Sequence, residues 1–243
     1  RQAVFVGRDF LLSRLVEAVR EQEGRRTLQH YIVLGPRGIG KTTLLLTLRD
    51  AVHQDEHLSH QWLCVQLREE EFYVYTLRDL LELLLDGLAA DEGVAEAGLL
   101  RERVHAEEDD DLSLALAVDG LRDLCRTTGR QILFLIDNFD RIFPKQARGA
   151  RKRVRADSQY RAFRKLLSTE GFLMVIGASV KLFEDLATYD QAFFDFFSRV
   201  DLGALTEDQV LELLRRRAAL DGTQGAEFLR RLPDRGDHET TTF

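Results

Sequence analysis

Cysteine is nearly absent from this 243-residue chain: Cys64 and Cys125 are its only two. Two thiols build neither a disulfide framework nor a cysteine-based zinc site, so a reducing cytoplasm is the expected setting. No apolar stretch approaches the roughly 18 residues of a membrane span, and no secretory leader pattern is visible. A basic excess is missing too: 34 Lys and Arg stand against 41 Asp and Glu, a formal net charge of −7. That excludes a globally basic nucleic-acid coat and leaves any DNA or RNA contact to a local patch. No Ser-His-Asp arrangement and no paired-carboxylate pattern stands out. His53, His57 and His60 are spaced for one helix face, but no acid or Cys completes a metal site. They read as solvated histidines at a helix end.

What is present suits a soluble α/β protein of one large domain or one and a half ordinary ones, with 44% hydrophobic residues in 27.9 kDa. The chain opens on Arg1 without Met, as a piece of a longer protein would. Short apolar runs at Tyr31–Leu34, Trp62–Gln66, Ile132–Ile136, Leu173–Ile176 and Val200–Leu202 read as strands. Helical patterns lie between them, at Asp9–Glu23, Thr42–Gln54, Thr76–Ala89, Leu112–Thr127, Ser158–Ser168 and Lys181–Phe197. Strands alternating with helices imply a parallel sheet covered on both faces. Thr206 is a plausible N-cap for a further helix reaching about Leu220, the opening of a second, helical subdomain. The expected division is therefore 1–203 for the core and 204–243 for that subdomain and an unassigned tail.

Two stretches carry unusual charge. Glu107–Asp111 is five consecutive acids and reads as a solvated loop ahead of the Leu112 helix. Lys145–Arg155 holds six cations (Lys145, Arg148, Arg151, Lys152, Arg153, Arg155) and no acid. Two readings stand for it: a mobile surface loop balancing an acidic protein, or a contact with a phosphate backbone. The run Phe193, Phe194, Phe196 and Phe197 reads as core between helix and sheet rather than as an interface.

Gly35-Pro36-Arg37-Gly38-Ile39-Gly40-Lys41-Thr42 fits G-x-x-x-x-G-K-[ST] at every fixed position, between an apolar strand and a Leu-rich helix. Its glycines let the backbone wrap so that N–H groups point inward as an anion nest. The following helix adds its positive end. Lys41 brings a point charge to the β- and γ-phosphates, and Thr42, followed by Thr43, supplies the hydroxyl for Mg²⁺. The expected ligands are ATP and Mg²⁺. Such a loop needs an acid at the end of a neighbouring strand, and Ile132-Leu-Phe-Leu-Ile-Asp137 provides one. A strand-end Asp without such a task would be costly to desolvate. Asn138 can orient a water but cannot take its proton. Asp140 is either the nearest alternative base or the solvent-exposed start of a loop or helix, and hydrolysis is expected to be slow or to depend on a conformational step.

These motifs resemble the ATPase domains of the AAA+ and STAND groups. Val6-Gly7-Arg8-Asp9 looks like the box that opens those domains, which packs near the adenine and makes Val6 and Arg8 candidate nucleotide contacts. Gly35–Thr43 is similar to their Walker A and Leu133–Asp140 to their Walker B. Asp137-Asn-Phe-Asp140 resembles the STAND and NACHT form, Asp-Gly-x-Asp, more than the Asp-Glu of hydrolytic AAA+ proteins. Leu173–Ser179 looks like the sensor 1 strand, with Ser179 either the sensing group or a plain polar terminus. Arg199 resembles the arginine that precedes the last strand, either a finger reaching a neighbouring subunit or an ordinary surface residue. The resemblance spans Val4 to Leu220. It implies a three-layer P-loop fold with strand order 5-1-4-3-2, a helical lid, a homo-oligomer in the ATP state and a bacterial source. No sensor 2 arginine, winged helix or repeat is recognisable. Partners expected from it are ATP and ADP, a protein or other trigger, and no membrane. A guanine-reading Asn-Lys-x-Asp segment is missing, which favours adenine. Three functions follow: a nucleotide-dependent switch, a DNA-acting initiator or loader ATPase using Lys145–Arg155, or a scaffold that holds nucleotide without turnover.

Overall fold

The five apolar runs become the strands of a single parallel sheet. They are β1 (His30–Leu34), β2 (Trp62–Leu67), β3 (Gln131–Ile136), β4 (Leu173–Ser179) and β5 (Phe197–Asp201). The computed structural model describes residues 6–67, 74–143, 150–180, 193 and 195–220, with backbone alone for 150–157. The sheet runs β2-β3-β4-β1-β5, the expected 5-1-4-3-2 order read from the other edge. β4 lies between β1 and β3, so the strand that ends in Asp137 does not neighbour the one that leads into the loop, contrary to the expectation for the acid. Register brings Leu34 opposite Ser179, Ile136 opposite Gly177 and Leu67 opposite Ile136. The carboxyl ends of β1, β2, β3 and β4 therefore share one edge, where ligands bind in sheets of this kind.

Helices α1 (Asp9–Glu21), α2 (Lys41–Gln54), α3 (Glu56–Gln61), α4 (Leu77–Ala90), α5 (Ala95–Ala106), α6 (Asp110–Thr128), α7 (Ala150–Thr169) and α8 (Glu207–Leu220) complete the described elements. Alternation along the strands splits the burial. Leu63, Val65 and Leu67 join Ile132, Phe134 and Ile136 in one cluster with Leu80, Leu84 and Leu88 of α4, Leu121 of α6 and Phe163 of α7. The alternate residues of β2 and β3 turn to the opposite face, where α2 packs on the sheet. Among the described residues, no helix is long and apolar enough to cross a membrane.

Several expectations need correction. The acidic run is not simply a loop: Asp109 caps α6, its Oδ1 accepting from the N–H groups of Asp111 and Leu112 at 2.9 Å each. Asp110 and Asp111 then sit in the first turn, where the helix dipole favours acids. α7 begins at Ala150, so Arg151, Lys152, Arg153 and Arg155 belong to a helix rather than a loop; Lys145 and Arg148 lie outside the described residues. The Lys181–Phe197 pattern falls mostly outside them too, and Phe197 opens β5 instead of closing a helix. Arg199, expected ahead of the last strand, lies within it, opposite Ile32. α3 and α5 were not expected. α3 is short and rests on an Asp55 cap, whose Oδ1 accepts from the Leu58 N–H at 3.0 Å. The aromatic run is core where it is described: Phe193 is fully buried, with ring centroids 5.2 Å from Phe197 and 5.9 Å from Phe139. Phe194 lies outside the described residues.

His30 shows how tightly β1 is held. Its Nδ1 accepts from the Val175 N–H at 3.1 Å, so Nε2 carries the proton and donates to the Leu167 carbonyl at 3.3 Å. Phe196 stacks on the ring at 5.1 Å. Burial at 1% exposure lowers its pKa from 6.5 to about 4. The unfolded chain therefore takes up this proton first as pH falls. Stability is lost from about pH 6.5 downward and levels near pH 4. At about 1.4 kcal/mol per pH unit the loss reaches about 3 kcal/mol. Urea unfolding at pH 7 and pH 4.5 tests this. His30→Gln is expected to show a smaller acid-induced loss than the wild type, and equal losses would refute the assignment.

Contacts divide the chain into two units, Leu11–Gly203 and the pair Arg1–Phe10 with Ala204–Phe243. In the smaller unit, Thr206 and Gln209 cap α8 reciprocally. The Gln209 N–H donates to Thr206 Oγ1 at 3.3 Å, and the Thr206 N–H to Gln209 Oε1 at 2.9 Å. Gly7, at φ +68°, leaves room for that side chain; a Cβ there would come within 2.5 Å of Gln209 Cδ.

Candidate nucleotide-binding and active site

β1 ends at Leu34, and the chain turns at once into the loop that starts α2. The first turn is fixed from two sides. The Gly35 N–H donates to the Ser179 carbonyl at 3.2 Å. A Cβ on Gly35 would also lie 2.9 Å from the Leu202 carbonyl oxygen, so only glycine passes here without displacing that backbone. Gly38 and Gly40 take φ of +78° and +102°, conformations that favour glycine, and both face open space. Gly40 caps α2 without a side chain, leaving the helix's first N–H groups to an incoming anion. Pro36, Arg37 and Gly38 are exposed and Ile39 half-buried, while Thr42 and Thr43 are exposed at the helix start.

Lys41 folds back into the loop. It is 7% exposed, and its Nζ donates to the carbonyls of Gly35 at 2.9 Å and Pro36 at 3.0 Å. The ammonium thus sits inside the curve where phosphate oxygens would enter. Thr42 Oγ1 donates to Asp137 Oδ2 at 2.5 Å across 95 residues of sequence. The Asn138 N–H holds the other oxygen, Oδ1, at 2.8 Å. Asp137 is therefore a buried carboxylate fixed on both oxygens. Thr42 and Asp137 form a hard-oxygen donor pair, the chemistry that suits Mg²⁺ completed by phosphate oxygens and water. Among the described residues no cluster of three His, Cys, Asp or Glu offers another metal site. The three histidines pair separately: His53 with Glu92 at 2.7 Å, His57 with Glu23 at 2.6 Å, His60 Nδ1 with the Glu56 carbonyl at 2.6 Å.

Beyond Asp137 the chain makes a sharp corner. Asn138 adopts the left-handed conformation, φ +49°, which Asn tolerates better than most residues. A short 3₁₀ turn, Phe139–Arg141, follows. Phe139 anchors it, its ring lying where a Cβ on Gly177 would come within 2.9 Å. Asp140 Oδ1 is buried and has no hydrogen-bond partner among the described residues. A buried acceptor left unpaired is costly, and here it lies just beyond the β3 carboxyl end. Ser179 is fully buried at the end of β4, beside Leu34.

Other candidates are placed differently. Arg199 is exposed on the edge strand β5. Val6 is buried and Arg8 half-buried, both in the smaller unit; burial lowers the Arg8 guanidinium from its ordinary value. Gln66, an amide in an otherwise apolar strand, carried no motif signal and was not a candidate. It lies on β2, two positions short of the level of Asp137.

Residues 4–176 match the family model of the AAA ATPase domain. Among curated proteins none matches. Solved structures do. The ORC1 protein of Aeropyrum pernix, in complex with DNA, is 13% identical and superposes with a TM-score of 0.60, covering 89% of this chain and 50% of that one. The ORC2 protein of Aeropyrum pernix, in ADPNP and ADP complexes, gives 16% identity and a TM-score of 0.58, covering 88% and 52%. The HORMA:CdnC:Trip13 complex of Escherichia coli MS115-1 gives 16% and 0.51, covering 98% and 77%. At such identities the likeness is one of fold, and the chain spans about half the length of the Aeropyrum proteins.

Proposed function

Because the chain belongs to the AAA ATPase domain family, we propose that it binds ATP with Mg²⁺ at Gly35–Thr43 and acts as a slowly hydrolysing, STAND-like switch. The observation that carries this reading is the corner after β3. Thr42 and Asp137 form the oxygen pair, Asn138 stands where a stronger base would act, and Asp140 presents a buried, unpaired Oδ1. Lys41 and the loop N–H groups bind the phosphates, the Thr42 and Asp137 oxygens hold Mg²⁺, and Asp140 accepts the proton of the attacking water. Mg²⁺, when bound, supplies charge neutralisation for the β- and γ-phosphates. Ser179, beside the loop at the end of β4, reads the γ-phosphate. Val6 and Arg8 are candidate contacts of the base through their resemblance to the box that opens such domains, and residues 204–220 are read as the opening of the lid. Differential lid contact with ATP and ADP is what makes such a domain a switch. The full protein is read as cytoplasmic and bacterial, homo-oligomeric in the ATP state with Arg199 as a finger reaching the neighbouring subunit, and triggered by a protein partner.

Asp140→Asn tests the reading. It is expected to keep ATP affinity within about threefold while turnover falls at least about tenfold, the scale of a lost general base. Wild-type turnover that the variant matches would remove Asp140 from the mechanism. ATP binding with no wild-type turnover would leave the scaffold reading.

A second reading rests on α7. Its first two turns hold Arg151, Lys152, Arg153 and Arg155 on a regular element, a geometry suited to a phosphate backbone. A DNA-acting ATPase predicts duplex binding that weakens steeply with salt, in proportion to the phosphates contacted. Reversing charge at Arg151, Lys152 and Arg153 should abolish it; unchanged binding would rule it out.

A further inference from the structure

Two buried oxygens at the carboxyl edge of the sheet have no protein donor among the described residues, Asp140 Oδ1 and Gln66 Oε1. Gln66 is 7% exposed, and its neighbours along β2, Trp62, Leu63, Cys64, Val65 and Leu67, are apolar. An unpaired amide inside such a strand works against folding. A leucine of similar size would fill the same space without that cost, so the amide calls for a second role.

Register gives its location. Gln66 pairs with Leu135, and Leu67 with Ile136. Because side chains alternate, Gln66 shares a sheet face with Leu135 and Asp137. That is the face on which Thr42 of α2 meets Asp137. One strand and two residues separate Gln66 from Asp137, a Cα distance of about 8 Å on ordinary strand spacings. A Gln side chain and one water span that distance.

We propose that Gln66 is a catalytic residue of this site, its Oε1 accepting a hydrogen bond from the water that attacks the γ-phosphate. The inference rests on the ATPase reading above and adds a residue to it. Two acceptors such as Gln66 Oε1 and Asp140 Oδ1 cannot satisfy each other, whereas a water has an O–H for each. Gln66 orients the water and Asp140 takes its proton. The water oxygen forms a bond to the γ-phosphorus while the bond from that phosphorus to the bridging oxygen breaks. ADP leaves with the bonding electron pair, and the proton ends on the Asp140 carboxylate. Asn138, an amide like Gln66, cannot replace Asp140 in that transfer.

The experiment compares wild type, Gln66→Leu and Gln66→Glu for kcat, KM, ATP affinity and melting temperature. Gln66→Leu is expected to melt at or above the wild type, because an apolar group of similar shape replaces an unpaired amide. Its ATP affinity and KM should stay within about threefold while kcat falls at least about tenfold, since the lost contact is one the transition state needs. Gln66→Glu keeps an acceptor and should recover part of kcat, which also guards against misfolding of the leucine variant. An unchanged kcat in Gln66→Leu overturns the inference and leaves the ATPase reading intact. So does a fall in kcat matched by equal losses of affinity and melting temperature. No turnover in a wild type that binds ATP overturns the ATPase reading and this inference together.

Discussion

Lys41→Ala is expected to weaken ATP·Mg²⁺ binding by about 100-fold or more, about 2.7 kcal/mol or above. The side chain is 7% exposed and already bent into the loop, held at 2.9 and 3.0 Å by the Gly35 and Pro36 carbonyls. A phosphate entering the nest meets a preoriented ammonium, and charge-assisted bonds of that kind are the strong ones. Removing it leaves the Gly38 and Gly40 backbone in place, so the loss falls on affinity and not on the fold. The melting temperature of the nucleotide-free variant should stay within about 3 °C of wild type, under about 1 kcal/mol for a chain this long. Lys41→Arg is not a rescue, because a planar guanidinium does not fit the cleft between two carbonyls that holds a compact ammonium. Equal affinity in wild type and Lys41→Ala, by calorimetric titration, would remove the loop from nucleotide binding.

The second large effect lies at the other end of the sheet. Glu92, with a side chain 5% exposed, accepts from the Cys64 N–H at 3.1 Å, pairs with His53 at 2.7 Å, and meets Arg130 at 3.2 Å. Arg130 also donates to the carbonyls of Ser59 at 2.8 Å and Trp62 at 2.7 Å. This knot ties α2, α3, β2 and the approach to β3 together. Glu92→Ala leaves the Cys64 N–H without that acceptor and takes the carboxylate from Arg130, whose bonds to the Ser59 and Trp62 carbonyls stay, a loss of about 1–3 kcal/mol. Thermal unfolding should show a fall of about 2–12 °C. Arg130→Ala should cost a similar amount, and the double variant less than the sum. A fall under about 2 °C for Glu92→Ala would show that the knot contributes little.

How much of this was legible in the residues depends on how local each demand is. The geometry of the Gly35–Thr42 loop was legible whole, because its glycines, Lys41 and the start of α2 answer needs met within eight consecutive residues. Asp137 followed from a short apolar run ending in an acid. The sheet and its order were expected and are found. The boundaries that went astray depend on distant partners. β5 starts at Phe197 rather than Val200 because His30 and Tyr31 pair with Phe197 and Ser198. α5 was not legible because Val94 gives it no side-chain cap, Gly98 and charged residues interrupt its pattern, and what holds it comes from distant elements: packing between α4 and α6, with Arg78 and Ser113 donating to its last carbonyls. The acids at Glu107–Asp111 looked like loop because their value lies in capping a helix end, a feature of backbone geometry. Gln66 was the least visible, since nothing marks it until the register of β2 places it near Asp137.

The central claim is that this edge recognises a triphosphate through the Gly35–Thr42 loop, with Mg²⁺ held by Thr42 and Asp137. Calorimetric titration of the nucleotide-stripped chain with ATP and with AMP, each with and without Mg²⁺, tests it most directly. ATP is expected to bind at least about 100-fold tighter than AMP, with the difference shrinking when Mg²⁺ is removed. ATP and AMP binding alike, or ATP binding indifferent to Mg²⁺, would contradict it.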